Sequence, residues 1–80
     1  MPHKLREGEK LIGVKQSSRA IKEGRAGTCY IAEDASEKVT GPIIALCAET
    51  GTALIRVPTM AELGDACGIK VGSAVAVLLK

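Results

Sequence analysis

Hydrophobic and polar positions along this chain change period several times, and each change predicts a new element. After a charged lead, Leu11-Ile12-Gly13 reads as a brief strand. Lys15 to Glu23 then reads as a helix closed by Gly24 at the C′ position. Ser17, Ala20, Ile21 and Gly24 recur at helical spacing and form a small inward face. Lys15, Arg19 and Lys22, with Gln16 beside them, fall on another face of the same helix. Thr28 to Ala32 is rich in strand formers and leaves through the acidic turn Glu33-Asp34-Ala35-Ser36. The next helix is expected to take Thr40 as its N-cap, with Pro42 in its first turn and Gly51 at its end. Ile43, Leu46 and Cys47 mark its core face. Ala53 to Val57 is a short strand stopped by Pro58. Thr59-Met60-Ala61-Glu62 has capping-box spacing and predicts a helix over Met60 to Ala66. Gly68 and Gly72 bracket a loop, and Ser73 to Leu79 is a continuous apolar run suited to a central strand buried on both faces.

Strand and helix therefore alternate β-α-β-α-β-α-β, the pattern of a sheet covered by helices on both sides, and predict a three-layer α/β/α sandwich. The alternation leaves the strand order open. With 80 residues, no internal repeat and no low-complexity stretch, the chain is expected to form a single domain over residues 1–80.

Composition narrows the function classes. The chain is 46% hydrophobic yet has no Phe or Trp and a single Tyr, Tyr30, so the core is aliphatic. RNA-reading and single-strand-binding modules that stack bases on exposed aromatics are disfavoured on that count. The apolar run from Val71 to Leu79 is about half the ~18 residues of a membrane span. The charged N-terminal residues 1–7 lack the apolar segment of a signal peptide, so the chain is expected to be cytoplasmic, with no membrane partner. Cys29, Cys47 and Cys67 are odd in number and widely spaced, each among small neighbours, and read as buried hydrophobes without metal.

Charge is uneven. The formal net charge is +2, but residues 1–25 carry seven Lys/Arg against three Glu, whereas the remainder carries four basic against six acidic residues. A localised patch for a polyanion follows, instead of a generally basic coat. Enzyme motifs are missing: there is no G-x-S-x-G, no phosphate loop, no dinucleotide fingerprint and only one His, His3. Glu33 and Asp34 point to opposite sides of an extended chain and read as a solvated turn. No catalytic residue and no cofactor are expected.

Two glycine-marked places remain. Gly13 precedes a helix whose first turns carry Lys15, Gln16 and Arg19, where N-terminal N–H groups and cations converge and phosphate is favoured. A solvated polar face is an equal alternative on composition alone. Gly68-Ile69-Lys70-Val71-Gly72 sets two apolar β-branched residues in a loop, either packed beneath it or offered outward.

Three ordered segments give these places a context: Gly13-Val14-Lys15-Gln16-Ser17-Ser18-Arg19-Ala20-Ile21-Lys22-Glu23-Gly24, then Ile31-Ala32-Glu33-Asp34-Ala35, then Leu63-Gly64-Asp65-Ala66-Cys67-Gly68-Ile69. In order and spacing, over roughly residues 10–80, they resemble the kink-turn RNA-binding ribosomal family typified by the archaeal large-subunit protein L7Ae. The resemblance is strongest to its short bacterial, ribosomal-protein-like members. It implies an α/β/α sandwich with a small four-stranded mixed sheet, a non-enzymatic monomer that binds a sharply bent RNA with tandem sheared G·A pairs beside a three-nucleotide bulge. By the same resemblance the helix start enters the opened groove. Gly13 then allows close backbone approach, Lys15 and Gln16 contact guanine edges, and Arg19 and Lys22 meet phosphates or purine edges. Ile69 and Val71, with Lys70 between them and Ser36 near, surround a bulged nucleotide. Archaeal relatives carry Asn-Glu where this chain has Lys15-Gln16, which exchanges an acceptor-only carboxylate for an amide that also donates. Ribosome association is implied too, and the alternative is a ribosomal or RNA-processing particle component acting mainly through protein contacts.

Overall fold

The computed structural model describes residues 9–80, so the charged lead with His3 and the absence of a signal segment lie outside the described residues. Seven elements follow one another: β1 (Lys10–Ile12), α1 (Val14–Lys22), β2 (Ala26–Ala32), α2 (Glu37–Thr50), β3 (Ala53–Val57), α3 (Met60–Cys67) and β4 (Val75–Leu79). The sheet order is β1-β4-β2-β3. β4 runs antiparallel to both neighbours, with Ile12 beside Ala76 and Ile31 beside Val75, whereas β2 and β3 run parallel with Tyr30 beside Ile55. The sheet is therefore mixed, and β4 joins two strands that do not touch each other.

Alternation along the strands assigns the two layers. Cys29 and Ile31 of β2 and Val75 and Val77 of β4 face α1 and α2, where they pack with Ala20, Ile21, Ile43 and Cys47. Tyr30, Ala32, Val57 and Ala76 face the other way, onto Leu63, Ala66 and Cys67 of α3. The result is an α/β/α sandwich with two helices on one face and one on the other. Val75, Ala76 and Val77 have no exposure, as a central strand covered on both faces requires.

Most boundaries fall within a residue of the sequence pattern, and three differ by more. α2 starts at Glu37 with Ser36 as its N-cap, four residues ahead of the expected Thr40. Ser36 Oγ accepts from the Lys38 N–H at 3.3 Å, and Thr40 is buried inside the helix with its hydroxyl donating to the Ser36 carbonyl at 3.4 Å. Pro42 consequently lies within the helix and not in its first turn, where it withholds one N–H from the ladder. β2 begins at Ala26, two residues early, through a register shift at Gly27 that lets the strand pair with Leu79. β4 begins at Val75, because Ser73 instead donates its N–H to the Met60 carbonyl and its hydroxyl to the Val75 carbonyl.

Candidate nucleic-acid interface

Strand directions bring one set of loops to a single edge. β1, β2 and β3 all end where β4 begins, so the starts of α1, α2 and α3, the 33–36 turn and the 68–74 loop share that edge. Hydrogen bonds tie them together: Gly13 N–H donates to the Val75 carbonyl at 3.0 Å, Ala32 N–H to Ala74 at 2.9 Å, and Glu33 N–H to Val57 at 2.8 Å. Three helix N-termini with their positive dipole ends therefore line one side of the sandwich.

Two of the three are neutralised. α2 has Ser36 as its cap and Glu37 in its first turn, and α3 has Thr59 as its cap and Glu62 in its first turn. Glu62 N–H donates to Thr59 Oγ1 at 3.1 Å, as the capping-box spacing predicts. α1 is different, for Gly13 offers no side chain, no acid stands in the first turn, and the residues there are Val14, Lys15 and Gln16, all exposed. Gly13 adopts φ 110°, a conformation that side-chain-bearing residues rarely enter, although the space around it is open. The constraint at this position is thus the turn of the backbone from β1 into α1. An uncapped helix start with added cations is poorly arranged for stability and well arranged for an anionic or acceptor-rich ligand.

Along α1 the inward face is Ser17, Ala20 and Ile21, which are buried, and the outward face carries the cations. Val14, Lys15, Gln16, Ser18, Arg19, Lys22 and Glu23 line a shallow groove. Lys15, Gln16, Arg19 and Lys22 are thus brought together as the sequence suggested. Sequence reasoning missed two residues of this surface. The Arg19 side chain, 78% exposed, meets Glu23 at 3.4 Å, and Arg25 meets the other oxygen of the same carboxylate at 2.9 Å. Helical spacing from Arg19 to Glu23 carries that signal, but Arg25 joins only because the chain reverses at Gly24.

The loop residues separate. Val71 is 71% exposed, and its neighbour Gly72 lies close to the Cβ of Met60, which is also exposed. Ile69 is half-buried, packs against the α3 layer, and shares a depression with Lys10, Asp65, Cys67 and Lys70. Of the two apolar residues, then, Val71 is offered outward and Ile69 is partly packed beneath the loop, while Lys70 is exposed and Ser36 is occupied as a helix cap. Val14, Met60 and Val71, three of the four exposed large hydrophobics among the described residues, belong to this edge.

Other chemistry is muted. Tyr30 is 2% exposed and offers no stacking face. All three cysteines are buried and free of disulfide bonds. Burial pushes each thiol pKa up, with the neighbouring Cys47 adding to the effect at Cys29 and Lys10 opposing it at Cys67, so none is a ready thiolate. Among the described residues no helix is long and apolar enough to cross a membrane, and no group of His, Cys, Asp or Glu is arranged to hold a metal ion.

Comparison with known proteins gives the family and the fold. An RNA-binding protein, YbxF, of Geobacillus stearothermophilus is 38% identical over 76 residues, covering 95% of this chain and 93% of that protein. The large ribosomal subunit protein eL8 of Halobacterium salinarum is 38% identical over 68 residues, covering 84% of this chain and 57% of its own. The Giardia lamblia 15.5kD RNA binding protein superposes with a TM-score of 0.91 at 22% identity, over 98% of this chain and 69% of that one, which establishes the shared fold. The profile of the ribosomal protein L7Ae/L30e/S12e/Gadd45 family matches residues 2–80. The chain belongs to that family.

Proposed function

We propose that this protein binds structured RNA and that its target is the kink-turn, a sharply bent duplex with tandem sheared G·A pairs beside a three-nucleotide bulge. The observation that carries the reading is the start of α1: an exposed, uncapped first turn bearing Lys15 and Gln16, continued by Arg19 and Lys22 along one groove. An ordinary A-form major groove is too deep and narrow for such side chains, so a reader without stacking aromatics needs a distorted site with exposed base edges. In this reading Gly13 lets the backbone approach, Lys15 and Gln16 contact guanine edges, and Arg19 and Lys22 hold phosphates. Val71 covers an unstacked bulge nucleotide, with Ile69 supporting the loop from below and Lys70 and Ser36 at the margin. Relatives named as RNA-binding and ribosomal proteins support the same partner class, inside or beside a ribonucleoprotein of the cytoplasm. The chemistry is recognition, with no reaction.

The test is a gel shift against a kink-turn duplex and the same duplex with its G·A pairs changed to Watson–Crick pairs. Tight binding to the first alone is the expected result, and equal binding to both refutes kink-turn recognition. A second reading, a particle component acting through protein contacts, is favoured by Ile55, 42% exposed on the edge strand β3. Failure to shift either RNA supports it.

A further inference from the structure

The Glu33-Asp34 turn reads in sequence as solvated, and the structure gives Asp34 a specific partner. Its Oδ1 accepts the backbone N–H of Met60, 26 residues away, at 2.8 Å. Met60 is the first residue of α3, so this N–H is one of the helix's orphan donors, and Thr59 already serves a different one, on Glu62. Met60 is also a joint for the 68–74 loop. Its carbonyl accepts the Ser73 N–H at 3.0 Å, and a Cβ on Gly72 would stand 3.1 Å from its own Cβ. One turn on, the Val71 carbonyl lies over Gly64 so closely that any side chain there would overlap it. Three segments, the 33–36 turn, the start of α3 and the Val71 loop, are thus linked through one residue whose position is set by one carboxylate.

We propose that Asp34 is a positioning residue for the RNA-facing loop, fixing Met60 and through it the placement of Val71; this rests on the RNA-binding reading above. Asp34 is a negative charge on an edge that meets a polyanion. If charge alone mattered, removing it would tighten RNA binding. A brace predicts the opposite sign.

The experiment compares Asp34→Ala and Asp34→Asn with the unmodified chain, by gel shift on the kink-turn duplex and by amide hydrogen exchange without RNA. Asp34→Ala is expected to weaken binding about fivefold, the fold-change that corresponds to losing an N-cap interaction of about 1 kcal/mol. Asp34→Asn keeps an acceptor at Oδ1 and loses the charge, and is expected to bind at least as tightly as the unmodified chain. Met60 and Ser73 amides exchange faster in Asp34→Ala, by more than the β4 core amides do. Unchanged or tighter binding by Asp34→Ala overturns the proposal, and so does an Asn variant as weak as the Ala variant, which makes the charge itself the active element. If the unmodified chain fails to bind the kink-turn, the RNA reading falls and exchange alone decides the brace. Unchanged exchange at Met60 and Ser73 in Asp34→Ala then overturns it.

Discussion

Replacing Gly64 by Ala sets two opposing effects against each other at one position. Gly64 is buried in the middle of α3, and elsewhere in a helix the exchange would stabilise by about 1 kcal/mol through the smaller backbone entropy loss of Ala. Here the new Cβ would overlap the Val71 carbonyl oxygen and stand 3.0–3.1 Å from the Val71 carbonyl carbon and Gly72 Cα. Those are backbone atoms, so no side-chain rotation relieves the contact and the loop has to move. Overpacking of this kind costs about 1–3 kcal/mol. Displacing the loop also strains the Ser73–Met60 hydrogen bond, worth about 1 kcal/mol. The balance is a net loss of about 1–3 kcal/mol, which for a domain of this size lowers Tm by roughly 4–24 °C. Because Val71 is on the displaced segment and the first turn of α1 is not, affinity for the kink-turn should fall while weak binding to plain duplex stays the same. Thermal melting followed by circular dichroism, with gel shifts on the two RNAs at a temperature where both proteins are folded, measures both effects. A Tm that rises by the full propensity gain with unchanged kink-turn affinity would refute the reasoning, since the loop would then have room that the structure denies it.

Gln16→Ala should lose about 1–3 kcal/mol on the kink-turn and little on plain duplex, as for a bidentate base contact, whereas Arg19→Ala and Lys22→Ala should each flatten the slope of log affinity against log salt by about 0.7–0.9. Equal losses of Gln16→Ala on both RNAs, or unchanged slopes for the two cations in titrations at several salt concentrations, would count against those roles. Ser17 Oγ is buried with no hydrogen-bond partner among the described residues, so Ser17→Ala should raise stability by about 1 kcal/mol in urea unfolding, and a loss would reveal a partner for the hydroxyl. Burial raises the pKa of Cys29, Cys47 and Cys67 above the ordinary thiol value of 9.0, so folding favours their protonated form. Their contribution is complete below pH 9.0 and is lost as pH rises beyond it, because the unfolded chain releases the protons first. Urea midpoints at pH 8 and pH 10 for the unmodified chain and a Cys29→Ala, Cys47→Ala variant test this, with a smaller alkaline loss expected in the variant.

Much of the fold was legible because local chemistry and tertiary structure agree. Gly13 and Gly24 bracket α1 to within a residue, Pro58 ends β3 where the structure ends it, and Thr59 with Glu62 starts α3. The start of α2 was hidden because Thr40 and Pro42 form a credible first turn of their own, and only the packing of Thr40 into the core shows that the helix has already begun at Ser36. Strand order was not legible, since alternation of apolar residues says that β4 is covered on both faces and not which strands flank it. The α1 cations could be grouped by helical period. The bond from Asp34 to Met60 could not, because it joins residues 26 apart whose proximity exists only once β2 and β3 lie side by side. Ile69 and Val71 differ for a similar reason: their sequence spacing is the same, and the close seat of the loop over Gly64 decides which one turns inward.

The position of β4 also bears on the order in which the protein is made. β1 and β2 have no hydrogen bonds to each other, and both pair with Val75–Leu79, which the ribosome synthesises after the six elements that precede it. Through most of translation the nascent chain therefore holds local helices and one parallel pair but cannot close its sheet, and long-range pairing of this kind is the slow part of folding. Gly13, from which α1 departs, is held by the Val75 carbonyl, so the basic helix is not set against the sheet until that last strand arrives. A chain cut short before residue 75 keeps every cation of α1 and lacks the strand that anchors the start of that helix, so the arrangement of its basic face depends on a segment more than fifty residues away.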